Sequence, residues 1–227
     1  MGSGVARALR EAIKKPAQPR PAPRDSVLGN PQRRRVIQYL CIHPCGSLSE
    51  GGRALGISPA TVRFHALRLA EAGYLVESMH GFCPQGFVDP DDLPMFETLG
   101  AAASRAVLAT VYARPGLPLT DLARETNMTR QAASSLLDAF ESQRLVTRVA
   151  DGKYVRVYPT QALEERRSRN RPRARQFVDE ILRRMTLEGE SPEVLRRTST
   201  GCMIRFGRGP SKALLELALE PHAHALR

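Results

Sequence analysis

Cys41, His43 and Cys45, spaced by single residues, are the side chains whose types best suit chemistry, with His80 and Cys83 farther along. Thiolates and imidazoles are zinc ligands, and together they could form a metal site. The spacing argues otherwise. It is not a CxxC knuckle, Cys41 continues the apolar stripe of a helix, and Cys83 falls out on a hairpin. We therefore read Cys41 as a core residue and the other two as loop residues, and expect no metal. Catalytic patterns fail in the same way. There is no nucleophile elbow and no HExxH helix, and "GRGPSK" at 207–212 lacks the spacing of a phosphate loop, so neither an enzyme nor a cofactor is expected. What remains is positive charge. "RRSRNRPRAR" (166–175) holds six arginines in ten positions, and each phosphate such a run neutralised would steepen the salt dependence of binding by about 0.9 in log–log slope.

The net charge of +11 is unevenly distributed. Residues 1–35 carry nine Lys/Arg against two acids, 36–160 carry 11 against 12, and 161–227 carry 14 against nine. The middle of the chain must therefore bind any polyanion by local placement rather than bulk charge. Arginine outnumbers lysine 30 to four, which suits forked contacts to phosphate and guanine and equally suits a GC-rich genome. Hydrophobic residues make up 42%, too many for a wholly disordered chain. Four scattered cysteines fit a reducing compartment better than a disulfide framework. No run of 18 apolar residues occurs and the N-terminus lacks a signal-peptide core, so a soluble cytoplasmic protein with no membrane partner is expected.

Those residues must be positioned by elements, and the elements repeat. Shifted by 71 residues, "RRVIQYLCIHPCGSLSEGGRALGISPATVRFHALRLAEAGYLV" lies without gaps on "RAVLATVYARPGLPLTDLARETNMTRQAASSLLDAFESQRLVT". Arg34 falls on Arg105, Val36 on Val107, Pro44 on Pro115 and Leu48 on Leu119. In the first copy, apolar spacing predicts a helix over 31–43 that stops near Pro44. A short helix capped by Ser47 or Ser49 then runs to Gly56. Ser58 caps a third helix, whose stripe is Val62, Ala66 and Leu69. "YLVESM", the turn "HGFCPQG" and a returning "FVD" read as a hairpin. The second copy ends in a plainer one, "LVTRVA", "DGK", "YVRVYP". Its core should contain Leu99, Val107, Leu108, Val111, Leu119, Leu122, Met128, Ala133, Leu137 and Phe140.

Three helices followed by a hairpin, in "LSEGGRALGISPATVRFHALRLAEAGYLV" and again in "LTDLARETNMTRQAASSLLDAFESQRLV", resemble the helix-turn-helix and wing entrance of ArsR/MarR-type transcriptional regulators. Two in one chain resemble the archaeal and bacterial regulators with tandem winged helices. The resemblance covers about residues 31–160. It implies that each third helix lies in the major groove and that each wing touches phosphate or minor groove. The corresponding outward positions are Ser58, Ala60, Thr61, Arg63, Phe64, His65 and Arg68, then Thr129, Arg130, Gln131, Ser134 and Ser135. Arg63 suits a guanine edge, Gln131 an adenine, and Ser58 and Thr61 a phosphate. Plainer readings stand beside these: Arg68 as a solvated helix residue, His65 as a ring packed beside Phe64, and Phe64 as either a thymine-methyl contact or a buried side chain. Arg148, Lys153 and Arg156 would bring phosphate contacts to the second wing. The first wing, with no Lys or Arg between Arg68 and Arg105, departs from the pattern.

The expected fold is mainly α with small β-hairpin wings: two tandem winged-helix domains plus a helical C-terminal extension. The expected division is a partly disordered basic arm over 1–30, winged-helix domains over 31–97 and 98–160, a basic and amphipathic helical segment over 161–190, and a small accessory or dimerisation segment over 191–227. Within the arm, "VARALREAIKK" could form a helix and "PAQPRPAPR" cannot. Phe177, Ile181, Leu182 and Met185 make a stripe that needs a partner, either a second copy or the preceding domain. "SPEVLRR" reads as a capped helix start, "GCMIRFG" as a strand and "PSKALLELALE" as a helix. The expected function is a sequence-specific regulator on double-stranded DNA, a homodimer that could meet the transcription machinery. An architectural or protein-docking winged-helix factor held to DNA by basic tails, and a replication initiator, stay open as alternatives.

Overall fold

In the computed structural model, described for residues 26–79, 81–207 and 212–221, local caps decide where the helices begin. Asn30 accepts hydrogen bonds from the Gln32 and Arg33 amides (2.9 and 3.2 Å) and starts α1 (Pro31–Ile42), with Pro31 in the first turn. Ser47, not Ser49, caps α2 (Leu48–Leu55), which closes on Gly56 at φ +67. Ser58 caps α3 (Pro59–Glu71). A hairpin of β1 (Leu75–Glu77) and β2 (Phe82–Pro84) follows, with Val76 opposite Cys83. The returning strand comes earlier than the sequence suggests. Phe82 and Cys83 are buried and the Cys45 amide bonds to the Phe82 carbonyl at 3.1 Å, so the part read as a turn is strand and "FVD" is not.

A second series begins after α4 (Leu93–Thr98) with α5 (Ala102–Ala113), β3 (Leu117–Pro118), α6 (Leu119–Glu125) and α7 (Arg130–Ser142). It ends in β4 (Val146–Asp151) and β5 (Tyr154–Pro159), joined through Gly152 at φ +57. The strand order is β3-β5-β4. The 71-residue register is visible in the backbone itself. Left-handed residues recur as Cys45 and Gly116, Gly56 and Asn127, Gly73 and Arg144. Arg34 donates to the Leu28 and Gly29 carbonyls, and Arg105 makes the same clasp on Leu99 and Gly100. Three-helix-plus-hairpin order therefore occurs twice. Of the core expected in the second series, all but Met128, which is half-buried, are fully enclosed.

α8 (Ala162–Leu187) is one helix of 26 residues that contains Pro172. Its stripe is buried inside the chain: Phe177 meets Phe87 at 5.1 Å between ring centroids, and Val178, Ile181 and Met185 are enclosed. Just past its end, Glu188 receives the Tyr74 hydroxyl and the Val27 amide, each at 2.9 Å. The C-terminal extension is not all helical, and this corrects the expectation. β6 (Glu193–Arg197), β7 (Gly201–Phe206) and β8 (Ala213–Ala218) form an antiparallel sheet, with β8 packed on α1. "SPEVLRR" does not start a helix and "PSKALLELALE" does not form one. Cys202, Ile204 and Phe206 on β7, with Leu215 and Leu217 on β8, instead alternate inward, and the non-local pairing outweighs the helix propensity of Leu, Ala and Glu. Eight α-helices and three small antiparallel sheets are present among the described residues. None of those helices is long and apolar enough to cross a membrane. The expectations for "VARALREAIKK" and "PAQPRPAPR" lie outside the described residues.

Candidate nucleic-acid interface

α3 and α7 each turn a polar ridge outward because their apolar residues are committed inward. On α3, Val62, Ala66 and Leu69 are buried, while Ser58, Ala60, Arg63, Phe64 and Arg68 are exposed and Thr61 is half-buried. On α7, Ala133, Leu137 and Phe140 are buried, and Arg130, Gln131 and Ser135 are exposed. Both N-terminal turns are capped: the Ser58 hydroxyl accepts the Thr61 amide at 3.1 Å, and the Thr129 hydroxyl accepts the Ala132 amide at 3.1 Å. Ser58 and Thr61 also share a hydroxyl bond of 2.7 Å, so both oxygens stand together at the start of α3. Arg68 is tied to Glu71 at 2.9 Å.

Several residues expected at this interface are placed otherwise. His65 is only 9% exposed, on the inner side of α3, and its Nδ1 is buried without a partner. Burial first, and then the nearby positive Arg33, hold its pKa below the ordinary imidazole value. Arg148 is not open to phosphate. It donates to Glu141 (2.9 and 2.5 Å), to Asp138 (2.6 Å) and to the Ser134 hydroxyl (3.5 Å), so the second wing is fastened to α7. Its bond to Glu141 pushes the guanidinium pKa up and holds the carboxyl below the usual carboxylate range. Arg156 is turned to Asp151 (2.5 Å) and to the Gly116 carbonyl (3.1 Å). Lys153 remains exposed at the wing tip, over the Tyr154 ring at 5.2 Å.

Five of the six arginines in the run on α8 are paired with carboxylates. Arg169, Arg166 and Asn170 converge on Asp92, which is 1% exposed, with Asn170 at 2.7 Å and Arg166 at 3.6 Å. Arg173 pairs with Asp89 at 2.8 Å, and Arg167 and Arg171 pair with Glu164 and Glu220. Such a density of cations reads as a phosphate-binding tail because, Glu164 apart, its partners Asp89, Asp92 and Glu220 lie far away in sequence. Cys83, on β2, does not project from the wing but is buried, and Cys41, Cys45 and Cys202 are buried elsewhere in the chain; all four are free thiols. Burial alone pushes the Cys41 thiol up well beyond its usual value. Among the described residues, no group of three or more His, Cys, Asp or Glu side chains is arranged to hold a metal ion.

One contact between the two series has no signature in local spacing. Glu50 on α2 accepts the Ala102 amide at the start of α5 (2.6 Å) and pairs with Arg105 (2.8 Å), both side chains being largely buried at 15% and 13% exposure. The repeat hinted at it: Glu50 aligns with Asp121 and Arg105 with Arg34. Only the first carboxylate, however, faces a helix start, and Asp121 is satisfied locally by Arg124 at 2.8 Å.

Residues 102–153 match the MarR family model. The matched stretch runs from Ala102, the first residue of α5, to Lys153 in the turn between β4 and β5. Among solved structures, a MarR-family transcriptional regulator from Silicibacter pomeroyi is 29% identical over 36% of this chain, with a TM-score of 0.28. The DIP2311 protein from Corynebacterium diphtheriae is 12% identical over 56% of this chain, with a TM-score of 0.22. The matches span 57% and 26% of those two proteins. No curated protein matches the chain.

Proposed function

We propose that this chain is a sequence-specific DNA-binding transcriptional regulator with two winged-helix units, about residues 31–97 and 98–160, whose third helices, α3 and α7, enter the major groove. The observation that carries this reading is the pairing of a committed inner face with an open polar ridge on both helices, one of them inside a MarR-family domain. On α3, Arg63 is assigned to a guanine edge, whose O6 and N7 accept from a guanidinium fork. Ser58, Thr61 and Arg68 are assigned to phosphates, which set register. On α7, Gln131 is assigned to an adenine, with Arg130 and Thr129 beside it on the backbone, and Lys153 extends the contact at the wing tip.

The architectural alternative needs DNA held by basic tails, and the carboxylate partners of the α8 arginines speak against a large share for that run. A two-fold dimer remains part of the proposal, though the apolar stripe of α8 is used within the chain, so dimerisation needs another surface. The test is selection of bound fragments from random duplex DNA by the full chain at near-physiological salt. An enriched motif is expected, with a palindromic one reporting two copies of the chain. Binding without enrichment would refute sequence-specific regulation.

A further inference from the structure

We propose that Phe64 is a specificity residue that reads the C5 methyl group of thymine in the duplex entered by α3, an inference that rests on the DNA-reading function above. Phe64 stands 52% exposed on the outward side of a helix whose Val62, His65, Ala66 and Leu69 face inward. The ring is held in place from two sides. The Arg68 guanidinium lies over it at 5.7 Å and is itself anchored to Glu71 at 2.9 Å, while the His65 ring meets it at 5.3 Å and 67°. A ring held this way offers a fixed apolar surface without ordering a mobile side chain on binding.

The fold does not require an aromatic here. The corresponding position on α7 is Ser135, exposed, and α7 forms the same 13-residue helix over the same kind of buried stripe. An exposed phenylalanine that folding does not demand points to a ligand. Its neighbours decide which kind. Arg68 lies over the ring, Arg63 is exposed on the same helix, and the one acidic residue of α3, Glu71, is already occupied by Arg68, so this helix suits a polyanion with an apolar spot. In the major groove that spot is the thymine methyl, the apolar group among the donors and acceptors of the base edges.

The experiment uses the full chain and a duplex enriched by it from a random pool, prepared once with thymine and once with uracil in every thymine position. The wild-type chain is expected to bind the thymine form about fourfold more tightly for each methyl covered, the value of one buried carbon group. Phe64→Ala is expected to bind both forms equally, and Phe64→Leu to keep part of the preference. A wild-type ratio of one overturns the proposal, as does a preference that persists unchanged in Phe64→Ala. If the chain enriches no duplex at all, the DNA-reading function fails and the methyl contact fails with it; enrichment with indifference to the methyl removes the contact alone.

Discussion

Arg63 and Arg148 carry the same side chain and were both expected to meet DNA, yet their surroundings give them different work. Arg63 stands exposed on α3, whereas Arg148 is clasped by Glu141, Asp138 and Ser134. The partners of Arg148 lie seven to 14 residues earlier on α7, and only the return of the chain through β4 brings them together. His65 makes the same point in reverse, since a polar residue beside an exposed Phe64 reads as outward until Val62, Ala66 and Leu69 fix the inner face. Its burial has a consequence for pH. Because the folded pKa is depressed below the unfolded value of about 6.5, the neutral ring's contribution is fully present above that value and is lost as pH falls through the folded pKa. Urea unfolding at pH 7.5 and pH 5 should show a loss of stability in the wild-type chain that is smaller in His65→Leu; equal losses would mean that His65 is not the group being titrated.

At the scale of elements, legibility follows the range of the interactions involved. Asn30, Ser47, Ser58 and Thr129 cap helices through bonds spanning two or three residues; such local signals make Ser58 legible as a cap and narrow the cap of the second helix to Ser47 or Ser49. The outward faces of α3 and α7 are legible for most positions, since a buried stripe fixes the opposite side, His65 being the exception. β6 and β8 were not, because their identity depends on β7 as a partner, and a run such as "ALLELA" satisfies a helical and a strand period alike. α8 was half legible: its apolar stripe is local, but the use of its arginines depends on Asp92, Asp89 and Glu220. Replacing Arg169 and Arg171 by Gln should therefore leave the slope of log Kd against log salt unchanged, whereas Lys153→Gln should reduce it by about 0.9. A reduction near two in the α8 variant would return that helix to the DNA interface.

For the whole molecule, the question is what makes two repeated units behave as one. Glu50 joins α2 to the start of α5, the Gln143 side chain donates to the Pro94 carbonyl, and α8 with Glu188 just past its end joins both units, through Phe87 and Tyr74 in the first and through the Gln143 carbonyl in the second. Asp92 fastens α8 to the end of the first unit. Its removal strands Asn170 and two arginines at a cost of about 2–4 kcal/mol, part of the arginines' share being recovered by solvent. Wild-type protein should unfold in urea in one transition, and the double variant Glu50→Ala, Asp92→Ala in two. A single transition in both would place the coupling elsewhere.

The central claim, that α3 reads base edges through its open ridge, is tested most directly by Arg63→Ala. With the selected duplex and a scrambled one of equal length, at fixed salt, the variant should lose about 1–3 kcal/mol of discrimination between them while its affinity for the scrambled duplex stays within about twofold. An equal loss on both duplexes would reduce Arg63 to a phosphate contact, and no loss on either would contradict the claim.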